Sequence, residues 1–234
     1  MDETTRKAES DTKRKYQRAE PTNDPERTRT DILHAAEIQF ARHGYAGTTV
    51  DSIASKSRRS KRMIYYYFAS KAKLYVAVLE QAYGRMRRAE VDINLEEDDP
   101  RQSLKNLVDF CFEFHCAHPN HVKLVMGENL NDAKYLAASS LMPELHRPII
   151  QRIERLLRRG YEVELFRQSI TPIEVHMTIS ALCFFNISNR ATFSAVFDVD
   201  MQSPAARRER KRQILLSILG RLDTNLSGFQ PEYA

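Results

Sequence analysis

The chain has 234 residues, 42% of them hydrophobic, and a formal net charge of +5 at pH 7, so it can form a globular core. It contains no run of 18 apolar residues and no apolar N-terminal signal, which argues against a membrane span and against secretion. Its three cysteines form no CxxC pair and fit a reducing compartment, so we expect a soluble cytoplasmic protein with no membrane partner.

Residues 1–23 are polar and charged, with almost nothing to bury, and we predict that they form a disordered tail. Beyond them, a residue able to cap a helix precedes proline at Asp24-Pro25, Asp99-Pro100, His118-Pro119, Thr171-Pro172 and Ser203-Pro204. Such pairs start helices, and alternating β-branched runs are absent. The sequence therefore predicts an all-α fold.

The first helix is predicted from about Pro25 to His43, with a stop at Gly44. A short second helix follows, because Thr48 and Asp51 resemble a capping box ahead of an apolar stripe. Ser60 is expected to cap a third helix, which has an apolar inner face and a cationic, aromatic outer face.

A basic stretch covers the second and third predicted helices. Between Ser52 and Leu79 there are seven basic side chains and three consecutive tyrosines, but no acidic residue. A solvated surface normally mixes both signs, so this pattern indicates a surface for nucleic acid. A chance run of surface charge is the alternative.

A larger C-terminal part is predicted to follow an acidic break at residues 96–99. The fourth helix starts after Ser70 and ends near Val91, and later helices are expected at about 100–117, 119–128, 143–159, 172–194 and 204–224. We place the boundary near the fourth helix, with an N-terminal domain at residues 24–70 and a larger C-terminal domain at 71–234. The resemblance described next implies that the first binds DNA and that the second binds an effector and dimerises.

A family resemblance rests on the string TTVDSIASKSRRSKRMIYYYFASKAKLYVAVLE and on ILHAAEIQFARHGYAG before it. This region resembles the helix-turn-helix DNA-binding domain of TetR-type transcriptional regulators. The resemblance implies base contacts from Lys61 and Arg62. It also implies phosphate contacts from Thr48, Thr49, Ser60, Tyr65, Tyr66, Tyr67 and Lys71. Two alternatives stay open: Tyr67 packs within the domain, and Thr48 only caps a helix.

The turn between the second and third helices departs from the family pattern. Arg58 and Arg59 stand where the family usually has glycine and then a small apolar residue. A left-handed conformation at Arg58 would cost about 1–2 kcal/mol. Both arginines are interpreted either as extra DNA contacts or as simple surface residues.

Regulators of the TetR type bind an effector and dimerise through their C-terminal domain. In this part of the chain HPNHVKLVMGENL and TPIEVHMTISALCFFNISNRATF resemble, more weakly, the C-terminal domain of the repressor of pyrimidine catabolism and its relatives. The resemblance implies an effector pocket bearing Phe110, Phe114, Glu128, His176, Phe184 and Asn189. It also implies a homodimer through the last helices, for which the apolar stripe of Leu215, Ile218, Leu219 and Leu222 is suited. Packing of this stripe inside its own chain is the alternative.

Other functions find less support. The histidines and cysteines between Cys111 and His121 suggest zinc, but their spacing does not place them on one helix face, so we expect neither a metal nor a cofactor. Catalytic motifs are missing, which argues against an enzyme. The sequence predicts a ligand-responsive homodimeric regulator that binds operator DNA and is usually a repressor in this family. A DNA-binding protein without sequence preference is the remaining alternative.

Overall fold

A computed structural model describes residues 24–167 and 170–223. In chain order the helices are α1 (Pro25–Gly47), α2 (Val50–Ser57), α3 (Lys61–Phe68), α4 (Lys71–Glu90), α5 (Pro100–Ala117), α6 (Pro119–Leu130), α7 (Met142–Glu162), α8 (Pro172–Ser188), α9 (Arg190–Phe197) and α10 (Pro204–Leu222), with a 3₁₀ turn at Leu136–Ala138. Within the described residues no strand forms, which confirms the all-α prediction, and no helix is long and apolar enough to cross a membrane. The predicted tail at 1–23 lies outside them.

The helix starts follow local capping. The Asp24 carboxylate accepts the N–H of Glu26 at 3.0 Å, and Thr171 forms a capping box with Glu174. The regular part of α1 ends as predicted at Gly44, whose φ of 68° favours glycine. The cap of α2 was placed one residue too early, because the capping box is formed by Thr49 and Ser52.

The described helices pack into two hydrophobic cores. The first joins α1 to α4 and includes Leu124 of α6, while the second joins α5, α7, α8 and α10. Helix α4 belongs to both, since Leu74 and Val78 lie in the first core and Met86 lies in the second. The proposed division at residue 70 stays a prediction, because α4 connects the cores without a linker.

Two expectations for the C-terminal helices are wrong. The helix predicted over 172–194 divides at Asn189 into α8 and α9. The leucine stripe of α10 is not a surface, because Leu215, Ile218, Leu219 and Leu222 are at most 1% exposed within their own chain. They pack in the second core, so the alternative of packing inside one chain is correct for these residues.

Candidate DNA-binding surface and effector cleft

Helix α3 separates an inner face from an outer one. Its N-terminus is capped by the Ser60 hydroxyl, which accepts the Met63 N–H at 3.3 Å, while Ile64 and Phe68 are buried in the first core. On the other side the exposed residues are Lys61, Arg62, Tyr65 and Tyr66.

The turn before α3 has the left-handed backbone conformation that glycine usually adopts at this position in the family. Arg58 has φ 56° and ψ 30°, and the Arg59 N–H donates to the Ala54 carbonyl at 3.2 Å. The arginine thus takes the conformation at a cost of about 1–2 kcal/mol relative to the right-handed region. Its side chain is exposed and stays a candidate for DNA contact.

Two basic side chains of this surface form ion pairs that the sequence analysis did not predict. Arg59 Nη2 lies 2.6 Å from Asp31 Oδ2 on α1, and Lys61 forms an ion pair with Asp51 in the first turn of α2. Both acids lie outside the acid-free stretch. They orient the cations in the free protein, and a phosphate that bound either cation would have to compete with its acidic partner.

Lys71 begins α4, where its ammonium lies 4.3 Å from the ring centroid of Tyr45. A cation over an aromatic face is attracted by the ring's negative face. Tyr45 also packs against Tyr135, at 4.3 Å between ring centroids. Lys71 is therefore linked through aromatic contacts to the loop that follows α6.

Thr48 is not available to a phosphate, contrary to the expectation from the family. Thr48 is 1% exposed, and its hydroxyl donates a hydrogen bond of 2.8 Å to the Gly44 carbonyl oxygen within α1. Thr49 is exposed and caps α2, so it remains a candidate. Tyr67 is half-buried and packs against the first core, as its alternative interpretation expects, and only part of its side chain faces outward.

A cleft of about 740 Å³ lies among the helices of the C-terminal part. It is lined by Tyr83, Met86, Arg87, His115, His121, Val125, Asn129, His146, Ile173, His176, Met177, Ser180, Ala181 and Phe184. Two of the six predicted pocket residues, His176 and Phe184, line it directly. Apolar walls with few polar groups are typical of small-molecule sites.

The remaining predicted pocket residues lie elsewhere, except that Asn189 lines an adjoining hollow of about 410 Å³ together with Phe184. Phe114 is buried behind the cleft, with its ring centroid 5.6 Å from that of His121. Phe110 packs against the second core. Both phenylalanines therefore support the cleft wall without lining it, because their helix α5 presents His115 there instead.

Glu128 is also not a cleft residue. It is 1% exposed, and its Oε2 accepts the N–H groups of Tyr135 at 3.2 Å and Leu136 at 2.9 Å. The carboxylate thus holds the loop after α6 on the side of the DNA-binding helices. Burial raises the pKa of the Tyr75 hydroxyl, and the nearby Glu128 charge raises it further.

The cleft histidines are neutral at pH 7. Burial lowers the pKa of His115 to about 4, of His121 to about 3 and of His176 to about 4. No group of three or more His, Cys, Asp or Glu side chains in the described part of the chain has an arrangement that could hold a metal ion. A neutral imidazole has one N–H donor and one nitrogen acceptor.

The sequence analysis missed a buried ion pair on α4. Arg87 Nη2 lies 2.8 Å from Glu90 Oε1, and their side chains are 9% and 4% exposed. Burial raises the pKa of Glu90 to about 7, although Arg87 and Arg152 oppose the shift. Their spacing of three residues on the inner face of α4 is a signal that was present in the sequence.

Comparison with known proteins identifies both parts of the chain. A family model described as bacterial regulatory proteins of the tetR family matches residues 32–78. A second, described as a tetracyclin repressor-like C-terminal domain, matches residues 100–218.

Named relatives agree with these matches. The repressor NicS of Pseudomonas putida is 33% identical over 184 residues, which cover 79% of this chain and 87% of NicS. The repressor SCO4008 of Streptomyces coelicolor is 35% identical over 46% of this chain and 52% of its own length. The crystal structure of the putative regulator SCO4942 of Streptomyces coelicolor superposes with a TM-score of 0.62 at 28% identity, covering 82% of this chain and 97% of that one. The chain therefore belongs to the TetR family of bacterial transcriptional regulators.

Proposed function

We propose that this protein represses transcription by binding operator DNA as a homodimer, and that a small molecule in the cleft releases it. The observation that carries the proposal is the position of α6. His121, Val125 and Asn129 of this helix line the cleft, while Leu124 lies in the core of the DNA-binding helices. One rigid element thus touches both sites, so a ligand that shifts α6 also shifts α1, against which it packs.

Aromatic contacts extend this connection to the DNA-binding surface. Glu128 holds the backbone of Tyr135, and the Tyr135 ring packs on Tyr45, whose face carries the Lys71 ammonium. Displacement of α6 would therefore move a candidate phosphate contact. A ligand that favours the displaced arrangement lowers operator affinity by its differential affinity for the two states.

Regulators of this family function as dimers, and the exposed apolar surface of α8 and α9 is the face that we propose for the partner. Phe185, Phe193, Val196 and Phe197 form this surface, which we term the α8–α9 ridge. Phe193 lies between the other two rings, 6.0 Å from Phe185 and 4.5 Å from Phe197. Phe185 is 40% and Phe197 60% exposed. Contiguous exposed apolar surface of this kind marks a protein interface.

We propose repression rather than activation because NicS and SCO4008, the two relatives described above, are both named as repressors. We also propose that the cleft binds its ligand without catalysing a reaction. The residues that line it include four neutral imidazoles and one arginine but no carboxylate, so the described lining offers no paired acid and base.

Binding to the promoter region of the protein's own gene, compared with random DNA of equal length, tests the operator claim. We expect preferential binding and an approximately palindromic footprint, since recognition helices of a dimer reach half-sites about 34–36 Å apart. Equal affinity for both DNAs would instead indicate a binder without sequence preference.

The coupling claim is tested with Tyr135→Ala. This change removes the ring between Glu128 and Tyr45. We expect effector to bind with unchanged affinity but to release operator less well, so that a typical coupling factor of about 5–150 falls toward one. Lys123→Ala, an exposed residue of α6, is the control. Full release in the Tyr135 variant would show that coupling takes another route.

A further inference from the structure

Arg87 lines the cleft with hydrogen-bonding capacity that the described residues do not use. Its side chain is 91% buried, being 9% exposed. Nε and Nη1 have no hydrogen-bond partner among the described residues. Nη2 approaches Glu90 Oε1 to 2.8 Å, but this oxygen receives no hydrogen bond, so the contact is purely electrostatic. A guanidinium carries five N–H donors, and leaving them unmatched in a buried site is unfavourable.

The other polar groups of the cleft have the same character. The Nδ1 atoms of His115 and His121 also lack a hydrogen-bond partner within the described chain. No Asp or Glu is among the residues that line the cleft, and Glu90 instead lines a smaller hollow of about 300 Å³ on the other side of Arg87. The cleft therefore presents guanidinium donors and imidazole nitrogens without partners, while Glu90, the carboxylate that pairs with Arg87, lies outside the described lining.

The apolar walls restrict the chemical class of ligand that the cleft can bind. Met86, Val125 and Ile173 supply aliphatic surface, and Phe184 supplies an aromatic ring. An inorganic anion would leave these walls unused, whereas a neutral apolar molecule would leave Arg87 unmatched. The ligand that satisfies both has an apolar or aromatic body and one anionic group.

We infer that the effector is a small organic acid whose carboxylate is bound by Arg87, with His115 and His121 beside it and its apolar body against Phe184. A planar carboxylate matches the guanidinium fork, and such charge-assisted hydrogen bonds are among the strongest in proteins. This inference rests on the proposed function for the role of the ligand as effector, but not for its binding.

The absence of tryptophan from the chain allows a direct test. Phe184→Trp places a single fluorescent reporter in the cleft of the full-length protein. The reporter is titrated with benzoate, phenylacetate and hexanoate, and with the corresponding neutral amides. We expect each acid to bind about tenfold or more tightly than its amide, the difference that one hydrogen bond to a charged group provides.

Arg87→Gln in the reporter protein should abolish this preference by weakening acid binding about tenfold while leaving amide binding unchanged. Arg88→Gln, which removes the same charge from the exposed neighbouring residue, should keep it. Amides that bind as well as the acids, acids that bind Arg87→Gln with wild-type affinity, or binding by none of the acids would each overturn the inference.

The comparison of acids with amides in the reporter protein decides the matter even if Arg87→Gln does not fold. No DNA enters these titrations. Failure to find an operator would therefore contradict the proposed function alone, and failure of acid binding would contradict the ligand class alone.

Discussion

Arg85 donates two parallel hydrogen bonds to Glu37, from Nη2 to Oε2 at 2.7 Å and from Nη1 to Oε1 at 3.1 Å. The carboxylate is on α1 and the guanidinium on α4, so this pair fixes the first DNA-binding helix to the helix that also lines the effector cleft. The hydrogen bonds that Arg85 donates to Glu37 hold the pKa of Arg85 above its ordinary value. Together with the contact of α6 on α1, the pair connects α1 to the C-terminal part at a second point.

We predict that Arg85→Ala destabilises the protein by about 1–3 kcal/mol, because it leaves the Glu37 carboxylate, 6% exposed, without its partner. Urea denaturation followed by circular dichroism measures the difference. Arg88→Ala, an exposed arginine of the same helix, should change stability by less than about 0.5 kcal/mol. Equal stability of the two variants would show that Glu37 is satisfied in another way.

Local signals explain which features the sequence predicted. Helix starts depend on a capping residue and a following proline, as at Asp24 and Thr171, and these interactions span only a few residues. The left-handed backbone at Arg58 could also be anticipated from the sequence, because the helix-turn-helix pattern fixes where the turn must lie.

The errors arise where tertiary packing decides between equivalent patterns. The leucine stripe of α10 satisfies a partner helix or a helix of its own chain equally well, and only the packing against α5 and α8 shows the latter. Likewise, Glu128 and His121 lie on one helix, but Glu128 faces the loop after α6 and His121 faces the cleft. A side-chain pattern along one helix does not contain this information.

The different roles proposed for Arg62, a base contact, and Lys71, a phosphate contact, give a second prediction. Arg62→Ala should reduce the preference for operator over random DNA, since a base contact contributes about 1–3 kcal/mol of discrimination. Lys71→Ala should weaken binding to both DNAs alike and lower the salt dependence by about one counterion. Fluorescence anisotropy at several salt concentrations separates the two effects. Arg158→Ala, exposed on α7, is the control, and an equal loss of discrimination in both DNA-binding variants would contradict the assignment.

The proposed dimer surface predicts that Phe185→Glu produces monomers, because a carboxylate on the α8–α9 ridge would lose its hydration on association. Analytical ultracentrifugation gives the state of association, and operator affinity should fall because two half-sites no longer bind together. Val163→Glu introduces the same charge at another exposed apolar position, at the end of α7, and should remain dimeric. A dimeric Phe185→Glu variant would place the interface on another face.

The cleft histidines predict that the protein loses stability in mild acid. Their pKa values are lower in the folded protein than the ordinary value of 6.5, at about 4 for His115 and about 3 for His121. The unfolded chain therefore binds more protons below pH 6.5, and the free energy of unfolding falls from there until the folded pKa values are reached.

Glu90 opposes this trend, because its pKa of about 7 makes the folded state take up a proton first as pH falls from 7 toward 4.5. Three histidines with lowered values outweigh that single carboxyl. Urea denaturation at pH 7 and pH 5 should show the loss, and His121→Gln should reduce it, whereas His43→Gln, an exposed residue on α1, should not. A wild-type protein equally stable at both pH values would mean that these imidazoles are not buried in solution.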